Sequence, residues 1–327
     1  STDELSPYPD IASQFEFRKK VILTELSNHN ITPNDLDAIV GRGGLLYPME
    51  GGTYAVNDIM LEHLQKGVQG QHASNLGGLL AASISHDAHD TPAFIVDPVV
   101  VDEMEPIAKL SGHPLLPRRS IFHALNQKAV ARKAAKMLGK PYEELNLILV
   151  HMGGGISVGA HRHGKVIDVN NALDGDGPFA PERSGSLPVG DLAKLCFSGK
   201  YTLPQVMDMI RGKGGVVAYL GSNNMLEIQK RASAGDAECT LALNGLIYQV
   251  SKEIGACAVV LRGQLDAIVL TGGLAFNENI CSEISSYISW MGKVIILAGE
   301  EEMEALAHGG LRVLNGEENA KIYSPQT

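Results

Sequence analysis

The stretch from Leu145 to Val169 constrains this chain more than any other. An apolar run, Leu145-Asn-Leu-Ile-Leu-Val-His-Met152, ends in Gly153-Gly154-Gly155. A second run alternates Ile156, Val158 and Ala160 with polar or small residues, then turns at His163-Gly164 into a third. The pattern predicts a three-strand antiparallel meander with a glycine-rich first turn. A dinucleotide-binding turn would lead into a helix after its glycines, whereas here the chain continues as a strand. Bare main-chain N–H groups at such a turn can approach an anion closely, because no Cβ stands in the way. A plain tight hairpin is the duller alternative, although a hairpin needs only one or two glycines.

The 327 residues exceed what one compact core holds and predict two domains. The formal net charge of −10 argues against a nucleic-acid or anionic-membrane binder. No apolar run approaches the ~20 residues of a membrane span. The start, Ser1-Thr-Asp-Glu-Leu, is acidic and polar and shows no export signal. The four cysteines, at 196, 239, 257 and 281, form no CxxC pair and read as reduced, mostly packed thiols of a cytoplasmic protein.

Helical spacing covers 9–28, with Ile11, Phe15, Val21, Ile22 and Leu26 on one side. A short strand, 36–40, runs into Gly41-Arg42-Gly43-Gly44. Helices are predicted at 57–66, capped by Asn57, and at 73–86. A buried strand, 93–97, ends in Asp97 before Pro98, and an alanine-rich helix spans 122–138. After the meander, 170–188 is irregular. Helices follow at 189–197, 203–211 and 236–262. A strand, 266–271, leads into Gly272-Gly273, then come a helix at 277–290, a strand at 294–297 and a last helix at 301–314. The halves read as two copies of one unit, the first without its meander; this predicts that roughly thirty residues are missing ahead of Ser1.

Several residues stand out as candidates. Arg42 sits in a glycine-rich turn at a strand's C-terminal end, where α/β proteins place ligands; a surface ion pair is the alternative. Arg183 lies in an irregular loop, and a guanidinium suits carboxylates and phosphoryl oxygens. Asp97 is a strand-end carboxylate suited to a metal-water or turn-capping role. Glu300-Glu301-Glu302 are either solvated first-turn acids or include a metal-water ligand. His123, after Arg118-Arg119, is a packed or a functional histidine. Neither His86 with His89 nor His161 with His163 has ligand company for zinc, and Ser198-Gly199-Lys200 lacks the glycine of a phosphate loop.

The segments 37–44, Phe94-Ile-Val-Asp-Pro98, Arg119-Ser-Ile-Phe-His123, His151-Met-Gly-Gly-Gly-Ile-Ser157, Phe179-Ala-Pro-Glu-Arg-Ser-Gly185 and Leu270-Thr-Gly-Gly-Leu274 together resemble the acetate/butyrate kinase family, on its butyrate branch. That family lies in the acetate and sugar kinase/Hsp70/actin superfamily. The resemblance implies an α/β fold of two ribonuclease-H-like, actin-like ATPase domains with a cleft between them. The first, 1–120, would lack its N-terminal strands, and the second would span 121–327, with the final helix, 301–320, free to pack back on the first.

By the same resemblance the protein phosphorylates a short-chain fatty acid to an acyl phosphate, reversibly, by in-line transfer from ATP to the carboxylate. Butyrate comes first and isobutyrate second. Arg42 would hold the substrate carboxylate. Asp97 and Glu301 would organise Mg²⁺ through waters. His123 and Arg183 would face the phosphoryl group, Gly153, Gly154 and Gly155 the ATP phosphates, and Gly272 and Gly273 the adenosine side. Family members open with a strand and an Asn-Pro-Gly-Ser-Thr-Ser turn that nothing here matches. Gly154 stands where acetate kinases carry asparagine, and glycines flank Arg42 where they carry bulkier residues. A homo-oligomer, a dimer or higher, is implied. The rival readings are a non-catalytic ATP-binding module of the actin/Hsp70 type and an inactive form serving assembly.

Overall fold

The computed structural model describes residues 2–324, and the chain divides into two compact units. Residues 1–102 and 301–327 form one, and 103–300 form the other.

In the second unit the apolar runs become strands β4 (Asn146–Met152), β5 (Ile156–Arg162) and β6 (Lys165–Val169), the expected antiparallel meander. His163 and Gly164 both have positive φ, which suits a tight turn matched to strand twist. Strands β7 (Ala267–Gly272) and β8 (Val294–Ala298) add parallel to β4, giving the order β6-β5-β4-β7-β8. Both faces of this mixed sheet are covered. Ile148, Val150, Ile268 and Leu270 pack with the helices Ala237–Val260 and Glu278–Ile288, while Leu147, Leu149, Ala267 and Val269 pack with the helix Ala124–Leu138. Two covered faces explain why β4 and β7 read as unbroken apolar runs instead of alternating ones.

The first unit carries a smaller mixed sheet. Strand β1 (Ile39–Arg42) runs parallel to β3 (Ala93–Val96), β2 (Thr53–Ala55) is antiparallel to β3, and β9 (Lys321–Ile322) closes the order β1-β3-β2-β9. The helix Asn75–Asp87 makes the crossover from β1 to β3. It presses against β1 where Gly41 meets Gly77; a Cβ on Gly41 would stand 2.1 Å from the Gly77 oxygen. The helix Glu302–Leu314 packs on β1, β2 and β3. Leu46, Met60, Leu64, Ile95 and Tyr323 form the core. Tyr323 ties the chain's end in, its hydroxyl accepting from the Tyr47 N–H at 3.2 Å.

Three expectations need correction. The boundary falls at 102/103 instead of 120, because 103–120 is bound to the meander. Glu103 and Lys128 make a buried pair at 2.9 Å, Glu103 accepts from the Val166 N–H, and Arg118 pairs with Asp168 at 2.8 Å. The helix expected over 9–28 forms over Phe15–Asn28 and buries none of its residues; Val21 and Ile22 face solvent, and Lys19 reaches Asp87 and Ser83 on the neighbouring helix. The first strand starts at Ile39, not Leu36, because Thr32 and Asp35 cap a 3-10 turn at Pro33–Asp35. It ends at Arg42, which is therefore a strand residue. The helices Val216–Leu220 and Met225–Ser233 and strands β2 and β9 were unassigned, being too short to show a period.

Candidate active site

Parallel pairing decides what gathers at one edge of the larger sheet. His151 of β4 lies opposite Thr271 of β7, and Thr271 opposite Leu297 of β8. The turn Gly153–Gly155, the pair Gly272-Gly273 and Glu300 therefore emerge at the same edge, the C-terminal one, where open α/β sheets bind ligands. His123, the residue preceding the helix Ala124–Leu138, reaches it as well, through its contacts to β4 and β5.

The glycine turn closes with the Gly153 N–H donating to the Gly155 oxygen at 3.0 Å. Gly154 is exposed at its tip, and its oxygen accepts from the Glu182 N–H at 3.2 Å. Gly155 is a glycine for want of room: a Cβ would stand 2.1 Å from Arg183 Nη1. Arg183 is half-buried there, its Nη1 donating to the Ala172 oxygen at 2.5 Å. Burial pulls the guanidinium below its ordinary pKa, while Glu182 and Asp174 oppose the shift; an arginine remains a cation throughout the neutral range. Asn170 anchors this irregular segment, accepting from the Val158 N–H at 2.7 Å and donating to the Ile156 oxygen at 3.1 Å.

His123 stacks on His151 with ring centroids 3.8 Å apart and planes 15° from parallel. His151 is 2% exposed. Its Nδ1 is 2.7 Å from Asn126 Oδ1 and its Nε2 is 3.1 Å from Glu300 Oε1. His123 Nδ1 is 2.9 Å from Ser157 Oγ. Thr271 Oγ1 donates to the Gly299 oxygen at 3.2 Å, and Gly272 exchanges main-chain hydrogen bonds with Gly299, which leaves Gly273 exposed at the edge. The structure thus brings together His123, Arg183, Gly153, Gly154, Gly155, Gly272 and Gly273. Sequence reasoning missed His151, Asn126 and Glu182. A lone polar residue closing the apolar run Leu147–Val150 was the available signal for His151.

The smaller sheet repeats the geometry. Arg42 lies opposite Val96 in the parallel pair, so Arg42 and Asp97 share its C-terminal edge. The Arg42 side chain is 44% exposed and pairs with Glu302 at 3.1 Å, the surface ion pair named above as the alternative. Asp97 is 1% exposed. Its Oδ1 accepts from the Gly52 N–H at 2.7 Å, and its own N–H donates to the Gly52 oxygen at 3.1 Å. Its φ of +37° is costly for a residue with a Cβ, and such strain concentrates at working sites. Glu301 is exposed, directly ahead of the helix Glu302–Leu314.

Among the described residues no group of three or more His, Cys, Asp or Glu is placed to hold a metal ion directly. His161, one of the residues weighed for zinc, is instead bonded to Tyr142 and Gln127. Asp97 and Glu301 offer hard carboxylate oxygens, which fit a cation that keeps most of its waters and meets the protein through them. No helix among the described residues is long and apolar enough to cross a membrane.

The model of the acetokinase family matches residues 106–322. Two proteins of Clostridium acetobutylicum named butyrate kinase 1 and butyrate kinase 2 are 56% and 57% identical over 323 residues. These cover 99% of this chain and 91% and 90% of theirs. The crystal structure of Porphyromonas gingivalis acetate kinase superposes with a TM-score of 0.80 at 20% identity, over 91% of this chain and 84% of that one. The fold is accordingly the two-domain actin-like one, each domain built on one of the two mixed sheets. Membership of this family brings ATP and a divalent metal with it. The chain belongs to the acetate/butyrate kinase family.

Proposed function

We propose that the chain transfers the γ-phosphoryl group of ATP to butyrate, giving butyryl phosphate and ADP, reversibly and with Mg²⁺ as the divalent ion. A carboxylate is already ionised at neutral pH, so no base is required. A carboxylate oxygen forms a bond to phosphorus as the bond to the ADP oxygen breaks, in line. The difficulty is that both reactants are anions, and positively charged or hydrogen-bond-donating groups offset their repulsion.

Arg183 and His123 serve the phosphoryl oxygens during transfer. The turn Gly153–Gly155 takes the ATP phosphates through the N–H groups of Gly154 and Gly155, that of Gly153 closing the turn on the Gly155 oxygen, and Gly272 and Gly273 take the adenosine side. Arg42 takes the butyrate carboxylate. Asp97 and Glu301 hold waters of the metal, which when bound neutralises phosphate charge. One observation carries the reading: a half-buried guanidinium packs against the last glycine of a main-chain turn, Nη1 2.1 Å from where a Cβ would stand, a cation fixed beside a glycine turn whose main chain an anion can approach. Butyrate leads among the substrates because the Clostridium relatives bear its name; the glycines flanking Arg42 open no space for the acyl chain, since a Cβ on Gly43 would stand 2.5 Å from Pro98 and one on Gly44 2.3 Å from Asn75.

Trapping the product with hydroxylamine, using acetate, butyrate and isobutyrate in turn, tests this. The expected order of kcat/KM is butyrate, isobutyrate, acetate, with turnover abolished by chelation and restored by Mg²⁺. Nucleotide binding without hydroxamate from any acid would instead mark a non-catalytic ATP-binding module.

A further inference from the structure

Behind His123 lies a buried row of polar side chains to which the reaction above gives no role. Tyr142 Oη is 2.7 Å from His161 Nδ1, and His161 Nε2 is 2.9 Å from Gln127 Oε1. Gln127 Nε2 donates to Ser157 Oγ at 2.8 Å and to the Ser157 main-chain oxygen at 3.1 Å. Ser157 Oγ is 2.9 Å from His123 Nδ1. His161, Gln127 and Ser157 are fully buried, so each proton in the row must find an acceptor within it.

That condition fixes the direction of every bond. The Ser157 carbonyl can only accept, so the amide nitrogen of Gln127 must face it and Oε1 must face His161. An amide oxygen can only accept, so His161 Nε2 carries a proton. Burial, with the charges of Lys128 and Arg132, pushes the His161 pKa well below its ordinary value. The ring is neutral, Nδ1 is bare, and Tyr142 donates to it. The Gln127 amide gives both protons to Ser157. The Ser157 hydroxyl proton has, among the described residues, no acceptor besides His123 Nδ1. A Cβ on Gly159 would stand 2.6 Å from Gln127 Oε1, so mid-strand β5 keeps a glycine where the amide passes.

We propose that Gln127 and Ser157, oriented from behind by His161 and Tyr142, form a one-way hydrogen-bond relay that holds His123 in its Nε2–H tautomer. They are positioning residues. Which ring nitrogen carries the proton is set by what the other one meets. Here the outcome is a fixed N–H donor at Nε2 and no proton at Nδ1. A histidine meant to stabilise phosphoryl oxygens needs that donor in place before substrate arrives, and no reorientation then accompanies the reaction. This catalytic consequence rests on His123 serving the phosphoryl group; the tautomer itself does not.

The test separates the two. Nitrogen-15 NMR of the histidine rings in the unsubstituted protein, with His123 assigned through His123→Gln, reads the tautomer directly. The expected result is a bare, pyridine-type Nδ1 and a protonated Nε2; a protonated Nδ1 overturns the relay whatever the kinetics. Ser157→Ala removes the hydroxyl without adding bulk. It is expected to mix the two tautomers and to lower kcat about tenfold, less than a tautomer locked the wrong way would, with both KM values held within about twofold. Ser157→Thr keeps the hydroxyl and should restore both signals. An unmixed Nε2–H ring in Ser157→Ala also overturns the relay. If His123→Gln leaves hydroxamate formation untouched, the role of His123 in transfer fails while the measured tautomer stands.

Discussion

The two sheets present the same edge and furnish it differently. At the larger one, His123, His151 and Arg183 are stacked, hydrogen-bonded or pressed on a glycine, and the strands beneath are buried along nearly their whole length. At the smaller one, Arg42 ends a strand with no fully buried residue and leans on a single glutamate. A cation locked in place suits a charge pattern that never varies, as on a transferring phosphoryl group, since preorganised groups pay no reorganisation during reaction. A half-exposed cation suits capture of a small acid that must enter and leave. The difference predicts that substitutions at the first edge fall on kcat and those at the second on the KM of the acid.

Arg183→Ala is the strongest test of that division. Losing a fixed cation at the phosphoryl group is expected to lower kcat about a thousandfold, with ATP KM changed only a few-fold, measured by hydroxamate formation under saturating substrates. A variant with unchanged kcat and raised butyrate KM would invert the comparison. Next comes Gly155→Ala. The new methyl meets the guanidinium and must push it aside, although Arg183 itself is intact. A displacement near 1 Å in a positioned group costs about a hundredfold in rate, and the same steady-state assay reads it. Normal kcat in Gly155→Ala would mean that Arg183 is mobile at this edge, erasing the contrast with Arg42.

Arg42→Ala should act on the other side. Losing a charge-assisted hydrogen bond to a carboxylate is worth about 1.5–3 kcal/mol, so butyrate KM is expected to rise about 10- to 100-fold while ATP KM stays put. Initial rates over a matrix of both substrates separate the two constants. A fall in kcat alone would place Arg42 with the preorganised groups.

How far the sequence foretold these edges follows from the range of its signals. Apolar runs closed by glycines announce β4, β5 and β7, because strands covered on both faces leave no ambiguity of period. Parallel pairing then follows from a crossover helix, so the meeting of Gly153–Gly155 with Gly272-Gly273 was legible. The partners of Arg42 and Arg183 were not. Glu302 reaches Arg42 across 260 positions of sequence, and the fit of Arg183 on Gly155 depends on how the irregular segment 170–188 is pinned by Asn170. The relay behind His123 was invisible for the same reason: Gln127 sits in a helix whose apolar pattern hides it, and Ser157 reads as one of the small residues that alternate along β5. The helix Phe15–Asn28 shows the reverse fault: its apolar spacing suggests a buried face, yet it packs only shallowly on the helix Asn75–Asp87 and leaves Val21 and Ile22 exposed.

Glu302 gives the smallest effect and the sharpest question about the second edge. Its carboxylate sits 3.1 Å from the Arg42 guanidinium, engaging the fork proposed above for the substrate carboxylate. If the pair only steadies the arginine, removing its charge should weaken butyrate binding. If Glu302 competes for the guanidinium, removing the charge should strengthen it. The pair is a third or more exposed on both sides, and exposed pairs are worth about 0.2–1 kcal/mol, which caps the change at roughly fivefold. Competition is the expected outcome, because a planar fork already engaged by one carboxylate must release it or share it to take another. Glu302→Gln should therefore lower butyrate KM about two- to fivefold with kcat unchanged, and the gain should shrink as ionic strength rises, since exposed charges are screened. A higher KM in that variant would make Glu302 a positioning group, and the second edge would then be as preorganised as the first.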